Sequence, residues 1–255
     1  MLILLPPSES KRAARSGAPV DLDGLAHPAL TPARRQVLGE LARISAAPDA
    51  LDALGVGPSL APDVARNVRL TEEPAAPAHR VYDGVLYDAL DHRGLTAVQR
   101  RRAADSVLVV SALWGLVALP DVIPAYRLSM GVRLGTLGNL AGFWKPQLTA
   151  ELAARPDDEL IVDCRSSTYA AAAATPPERT VTVDVFRERD GVRSVVSHMA
   201  KHTRGELARH LLTRRGKAPA DAQALLRAAR ERWPSAELVA GTVRRPARLA
   251  IVLTD

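Results

Sequence analysis

The side chains with the most chemical potential in this chain are basic and hydroxylic, and they gather in a few short runs. The run Ser111 to Leu134, SALWGLVALPDVIPAYRLSMGVRL, places Tyr126 beside Arg127 and sets Arg133 on the far side of Met130-Gly131. Pro120 and Pro124 forbid one continuous helix there, and Gly131 permits close backbone approach, so the run reads as the wall of a site. Arg127 and Arg133 suit a pair of forks for phosphate or carboxylate; the ordinary alternative is a structural ion pair with Asp121 or Glu151. A second run, Ser197-His198-Met199-Ala200-Lys201-His202-Thr203-Arg204-Gly205, is expected to close a strand and open a helix. Lys201 and Arg204 then sit near a helix start, where cations oppose the dipole and a bound anion would compensate them. Ser8 and Lys11 follow the first apolar run, a normal position for a ligand loop in an α/β sheet.

A third feature is Leu51 to Ala61, which holds Gly55-Val56-Gly57-Pro58-Ser59 ahead of Pro62. Two glycines around a hydrophobe resemble the turn of a helix-hairpin-helix element. Such a turn exposes backbone N–H groups, and the N-terminus of the following helix adds more, so a nucleic-acid phosphate fits at Gly55, Gly57 and Ser59. Contacts of that kind fix position and read no sequence. An ordinary helix connection uses the same residues, and Pro62 fits only the first turn of the second helix.

Metal and nucleophile chemistry have weaker footing. His198 and His202 are four apart, but His198 is expected at a strand end, and no carboxylate completes a ligand set, so no metal and no cofactor are expected. The single cysteine, Cys164, precedes Arg165, which could lower its pKa, yet a lone cysteine is more often a small buried hydrophobe. No nucleophile elbow is present. Tyr82, Tyr87, Tyr126, Tyr169 and Trp144 could stack on bases or sit in the core with a hydrogen-bonded tip.

The elements that must position these groups are short. Strands are expected at Leu2 to Leu5, Val107 to Val110, Glu159 to Asp163, Val181 to Phe186, Val192 to Ser197 and Leu249 to Leu253, with a hairpin across Asp190-Gly191. Helical spacing appears in Thr31 to Ile44, Gly94 to Ala103, Pro146 to Ala154, Lys201 to Thr213 and Pro219 to Arg232. Interleaved strands and helices with a hairpin predict an α/β fold, a mixed sheet flanked by helices. Residues 1–255 are expected as a single domain, with 29–71 a helix-hairpin-helix-like helical insert lying between loops at Ser16 to Pro28 and Glu72 to Ala78.

Lysine and arginine number 34 against 28 acids, a surplus of +6 that favours polyanionic partners. The same surplus follows from an arginine- and alanine-rich composition, so it counts only where cations cluster. The opening apolar run is too short for a signal-peptide core or a spanning helix, and no later segment escapes charge long enough, so a cytoplasmic protein without a membrane partner is expected.

These runs, taken in order, resemble the YaaA family of bacterial peroxide-stress proteins. The resemblance spans nearly the whole chain: Met1 to Lys11, Tyr82-Asp83-Gly84-Val85-Leu86-Tyr87, Ser111 to Leu134, Phe143-Trp144, Asp163 to Tyr169 and Ala200 to Gly205. Met199 and Glu9-Ser10-Lys11 depart from the family pattern. The resemblance implies a protein that binds double-stranded DNA, protects it during peroxide stress and limits free intracellular iron. Its DNA or anion contacts would be Gly55, Gly57, Ser59, Arg127, Arg133, Lys201 and Arg204. The rival reading is an enzyme acting on a nucleotide or other small anionic substrate, with Ser8, Lys11, Tyr126 and Lys201 at its centre. Enclosure separates them: a small closed pocket favours the enzyme, an open basic groove the duplex.

Overall fold

The computed structural model describes residues 1–189, 192–195 and 197–254. Its strands are β1 (Leu2–Leu5), β2 (Ala76–Pro77), β3 (Val107–Ser111), β4 (Gly115–Ala118), β5 (Val122–Ile123), β6 (Ile161–Asp163), β7 (Thr180–Arg189), β8 (Val192–Val195), β9 (Glu237–Val239) and β10 (Ala247–Thr254). Its helices are α1 (Thr31–Ser45), α2 (Ala50–Ala53), α3 (Ala61–Arg66), α4 (Ala78–Val81), α5 (Val85–Leu90), α6 (Ala97–Ser106), α7 (Leu140–Ala153), α8 (Ser167–Ala170), α9 (Ser197–Thr213) and α10 (Ala222–Arg230). The main sheet runs β4-β3-β1-β6-β7-β10-β9, with β8 paired to β7. Its five central strands are parallel, whereas β4, β9 and β8 pair antiparallel with theirs. All four residues of β1 are fully buried, as a strand covered by helices on both faces requires. The α/β class and mixed sheet expected from the sequence are therefore present. No described helix is long and apolar enough to cross a membrane.

Three boundaries differ from expectation for identifiable reasons. The Ser111 to Leu134 run conceals β4, because the Ser111 hydroxyl accepts from the amides of Leu113 and Trp114 at 3.2 and 3.0 Å, turning the chain back onto β3. Helix α7 starts before Pro146: the Asn139 side chain caps it by accepting from Gly142 N–H at 2.9 Å, and proline within the helix forfeits one amide donor without ending it. Helix α9 starts at Ser197, so His198 lies in the helix rather than at a strand end, and Lys201 lies a turn inside it. The expected hairpin of β7 and β8 forms, while its Asp190-Gly191 turn lies outside the described residues.

Helix α1 is fastened to the sheet edge by Arg34, which is fully buried. Its guanidinium donates to the carbonyls of Trp114 at 2.9 Å, Leu116 at 2.9 Å and Ala26 at 2.7 Å. One backbone acceptor of β4, at Leu116, and one of the turn that leads into it, at Trp114, are thereby satisfied by a side chain.

Candidate functional site

The loops leaving β1 and β6 are neighbours in the sheet, and between them and α9 lies a cavity of about 490 Å³. Its cations are Arg127, from the loop after β5, and Lys201 and Arg204, both from α9; its acids are Glu9 and Asp83. Ser8, Ser10, Ser129, Ser166 and Tyr169 add hydroxyls, and Pro6, Pro7, Leu54, Val56 and Leu128 add an apolar side. Arg133 is exposed and does not line the cavity, so the two arginines of the run do not act as a pair there.

One wall is a strap formed by Ser8 to Lys11. The Ser8 hydroxyl accepts from Asp83 N–H at 3.1 Å, and the Ser10 hydroxyl donates to the Asp83 carboxylate at 2.7 Å. Lys11 passes behind the strap. Its ammonium donates to the Ser8 carbonyl at 2.7 Å and rests over the Tyr126 ring, 4.3 Å from the centroid. Burial, and then the charge of Arg127, push this ammonium down to about 7, against the raising influence of Asp83, Glu9 and Asp63. A lysine in that state exchanges protons near neutral pH.

Tyr126 does not line the cavity. Its hydroxyl lies 2.7 Å from Ser111 Oγ and 3.2 Å from the Tyr82 hydroxyl, all buried beneath Lys11. Burial drives the pKa of both tyrosines upward, so they serve as neutral hydrogen-bonding supports. The sequence groups Tyr126 with Ser8, Lys11 and Lys201; in the fold its ring lies beneath the Lys11 ammonium, outside the cavity lining.

Arg127 is set by its backbone. Asn67, almost fully buried, accepts from Arg127 N–H at 2.9 Å and donates to its carbonyl at 2.8 Å. The guanidinium donates to the Glu9 carbonyl at 3.0 Å, with the Glu9 carboxylate at 4.0 Å. Neither expected acidic partner serves it: Asp121 accepts from the amides of Ala26 and Ala118, and Glu151 pairs with His27. Arg204 gives two donors to the Val183 carbonyl at 2.8 and 3.2 Å. Lys201 is exposed and has no partner among the described residues. Both ride on α9, which packs along α5. Gly205 makes that approach close, since a Cβ there would fall 2.1 Å from the Leu86 carbonyl oxygen.

At the hairpin, Gly55 and Val56 line the cavity, while Gly57 and Ser59 are exposed outside it. Positive φ occurs at Gly55 (63°), whereas Gly57 is extended at φ −77°. The amides of Gly55 and Val56 donate to the carbonyls of Asp52 and Leu51 at 3.0 and 2.9 Å, so the turn spends these two donors on itself. The flanking α2 and α3 have four and six residues.

Cys164 is buried and pushed up to about 12, first by desolvation, which is the inert hydrophobe's state. Its neighbour Arg165 forms a buried two-pronged pair with Asp163 at 2.8 and 2.7 Å and also donates to the Ala173 carbonyl at 3.0 Å, shaping the loop that carries Ser166 and Tyr169. His202 pairs with Glu206 on its own helix. Among the described residues no three His, Cys, Asp or Glu side chains gather as a metal site.

Sequence reasoning missed Asn67 and Asp83. Asp83 stands in the quoted Tyr82-Asp83-Gly84 run but carried no role, and Asn67 lies in an unremarkable stretch with no local signal.

The family model for "Peroxide stress protein YaaA" matches residues 1–231. A UPF0246 protein of Streptomyces coelicolor is 45% identical over 236 residues, covering 91% of this chain and 90% of the relative. One from Corynebacterium efficiens is 44% identical, covering 84% of this chain and 85% of the relative. A UPF0246 protein of Flavobacterium johnsoniae is 33% identical, covering 56% and 58% respectively.

Proposed function

The chain belongs to the YaaA family of peroxide stress proteins, and we propose that its cleft binds a small phosphorylated or carboxylated ligand, as an enzyme's substrate site would. One observation carries this reading: Arg127, from the loop after β5, and the α9 pair Lys201 and Arg204 meet at one cavity of about 490 Å³. That volume lies within the range of small-molecule sites, roughly 300–1,000 Å³. The apolar side formed by Leu54, Val56 and Leu128 suits the body of such a ligand and the cations suit its anionic end. Lys201, without a partner among the described residues, is the first contact. Lys11, whose amine exchanges protons near neutrality, is the acid or base closest at hand, behind Ser8 and Ser10.

A second reading, duplex binding with DNA protection, draws on the surplus of +6 and on the placing of Gly55 and Val56 at the same cleft. A duplex would lie across the mouth and be held through its phosphates. The two readings part in a thermal-shift screen of nucleotides and phosphorylated metabolites against wild type and Lys201→Ala, run beside duplex titrations at several salt concentrations. A stabilising metabolite lost in Lys201→Ala supports the small-ligand site. No stabilising metabolite, with salt-sensitive duplex binding that falls in the variant, sinks it in favour of DNA.

A further inference from the structure

On the other side of the Asp83 to Tyr87 wall lies a separate depression of about 190 Å³ whose lining includes Arg12, Arg80, Arg93, His79 and His92. Among the described residues the three guanidiniums have no hydrogen-bond or ion-pair partner, although three carboxylates lie within reach of the same hollow. Two of these are committed elsewhere: Asp83 to Ser10 at 2.7 Å, and Asp91 to Arg209 at 3.1 Å and to Gly94 N–H at 3.1 Å. Asp88 alone is left to face three arginines.

Between the arginines the rings of His79 and His92 stack with centroids 3.9 Å apart and planes at 27°. His79 Nδ1 lies 3.0 Å from the Leu119 carbonyl, so that nitrogen carries the proton and the neutral ring keeps its lone pair on Nε2. Two imidazolium rings at this separation repel strongly without a counter-charge between or beside them.

We propose that this depression is a second binding site, for a free tetrahedral oxyanion of the phosphate or sulfate class, and that the stacked histidine pair takes up a proton as the anion binds. The charges around the pair set the direction. Burial first, then His79, Arg100 and Arg80, push His92 down to about 4, with Asp91 opposing. His79 is lowered by burial and by Arg80, Arg100 and Arg93, with the Leu119 carbonyl opposing. An anion held by Arg12, Arg80 and Arg93 offsets the guanidinium charge, so the protonated form of one ring becomes affordable only in the complex. Binding therefore strengthens as pH falls. The site stands apart from the 490 Å³ cleft and does not depend on the reading given to it.

Sulfate is the direct probe, because it stays a dianion while the histidines titrate. The ring protons of His79 and His92, assigned by single substitutions, are followed by NMR through pH titrations with and without sulfate. Sulfate affinity is measured by calorimetry in two buffers of different ionisation enthalpy, which counts protons taken up. The expected result is a higher titration midpoint for at least one ring in sulfate and affinity rising about tenfold for each unit by which that midpoint moves. Both are lost in Arg80→Gln/Arg93→Gln and kept in Lys201→Ala. The double variant His79→Asn/His92→Asn keeps the folded state, by unchanged melting, and loses the proton uptake. Resonances that sulfate leaves in place, or a response abolished by Lys201→Ala, would overturn the site. A short duplex that moves these resonances where sulfate fails would overturn it too, by assigning the arginines to a nucleic-acid backbone.

Discussion

Asn67 and Arg127 pair as two strand residues would, with the Asn67 carboxamide standing in for a peptide group: it accepts from Arg127 N–H at 2.9 Å and donates to the Arg127 carbonyl at 2.8 Å. The same carboxamide also donates to Ser45 Oγ at 3.2 Å, so it ties the end of α1 to the loop that aims Arg127 into the cleft. Asn67→Ala removes the partner of two backbone groups in a buried place. A loss of about 2 kcal/mol is expected in urea unfolding, with weaker ligand binding at the cleft. Asn67→Asp retains the acceptor but sets a buried carboxylate oxygen against the Arg127 carbonyl, so it should lose at least as much as Asn67→Ala; an Asp variant as stable as wild type would mean that the donor half of the carboxamide contributes nothing.

Gly205 controls where Lys201 and Arg204 stand. With Leu86 backbone oxygen 2.1 Å from a built Cβ, Gly205→Ala must separate α9 from α5. Overpacking of this kind costs about 1–3 kcal/mol, and the displacement also draws two cations off the wall formed by Asp83 and Leu86. The measurement is a pair of curves, denaturant unfolding and ligand titration, with both expected to shift; a variant as stable as wild type would show that the helices adjust freely.

What was legible in the sequence follows from how local its causes are. β1 could be read to the residue because Leu2 to Leu5 is an apolar run stopped at its far end by Pro6-Pro7. β4 could not, because its turn depends on the Ser111 hydroxyl catching two amides, a three-dimensional event with no periodicity. The cations Arg127, Lys201 and Arg204 announced themselves by type and cluster. Which arginine turns outward did not: Arg133 looked equivalent to Arg127 until Asn67, some sixty residues upstream, fixed only one of them. Asn67 had no signature, since a buried amide that pairs with backbone looks in sequence like any surface asparagine.

Lys11 predicts a pH dependence with a definite sign. Its pKa falls from 10.5 in the unfolded chain to about 7 in the folded protein, so between those values the unfolded state binds more protons. Stability from this group therefore rises with pH across that window, and the penalty of holding a buried ammonium is greatest below it. Lys11→Met should flatten the rising limb in denaturant unfolding measured across the window, and a limb left as steep as in wild type would contradict the lowered value.

The two glycines of the hairpin separate a structural turn from a phosphate cradle. Gly57 is one of the two glycines expected to admit a phosphate, but its φ of −77° is ordinary for any residue and nothing lies within 4 Å of a built Cβ. Gly57→Ala is therefore expected to be neutral or slightly stabilising, by up to about 0.5 kcal/mol, through the lower entropy of the unfolded chain. Gly55, at φ 63°, has the same open space but the wrong backbone for alanine, so Gly55→Ala should cost about 1 kcal/mol. Its backbone also lines the cleft, so any ligand or duplex that reaches the turn should lose affinity there first. Thermal unfolding of both variants checks the conformational part, and binding checks the rest. Loss of duplex affinity in a stable Gly57→Ala would mean that a phosphate approaches the outer glycine and that the turn is a cradle after all; loss confined to Gly55→Ala would leave Gly57 a bystander and put the contact inside the cleft.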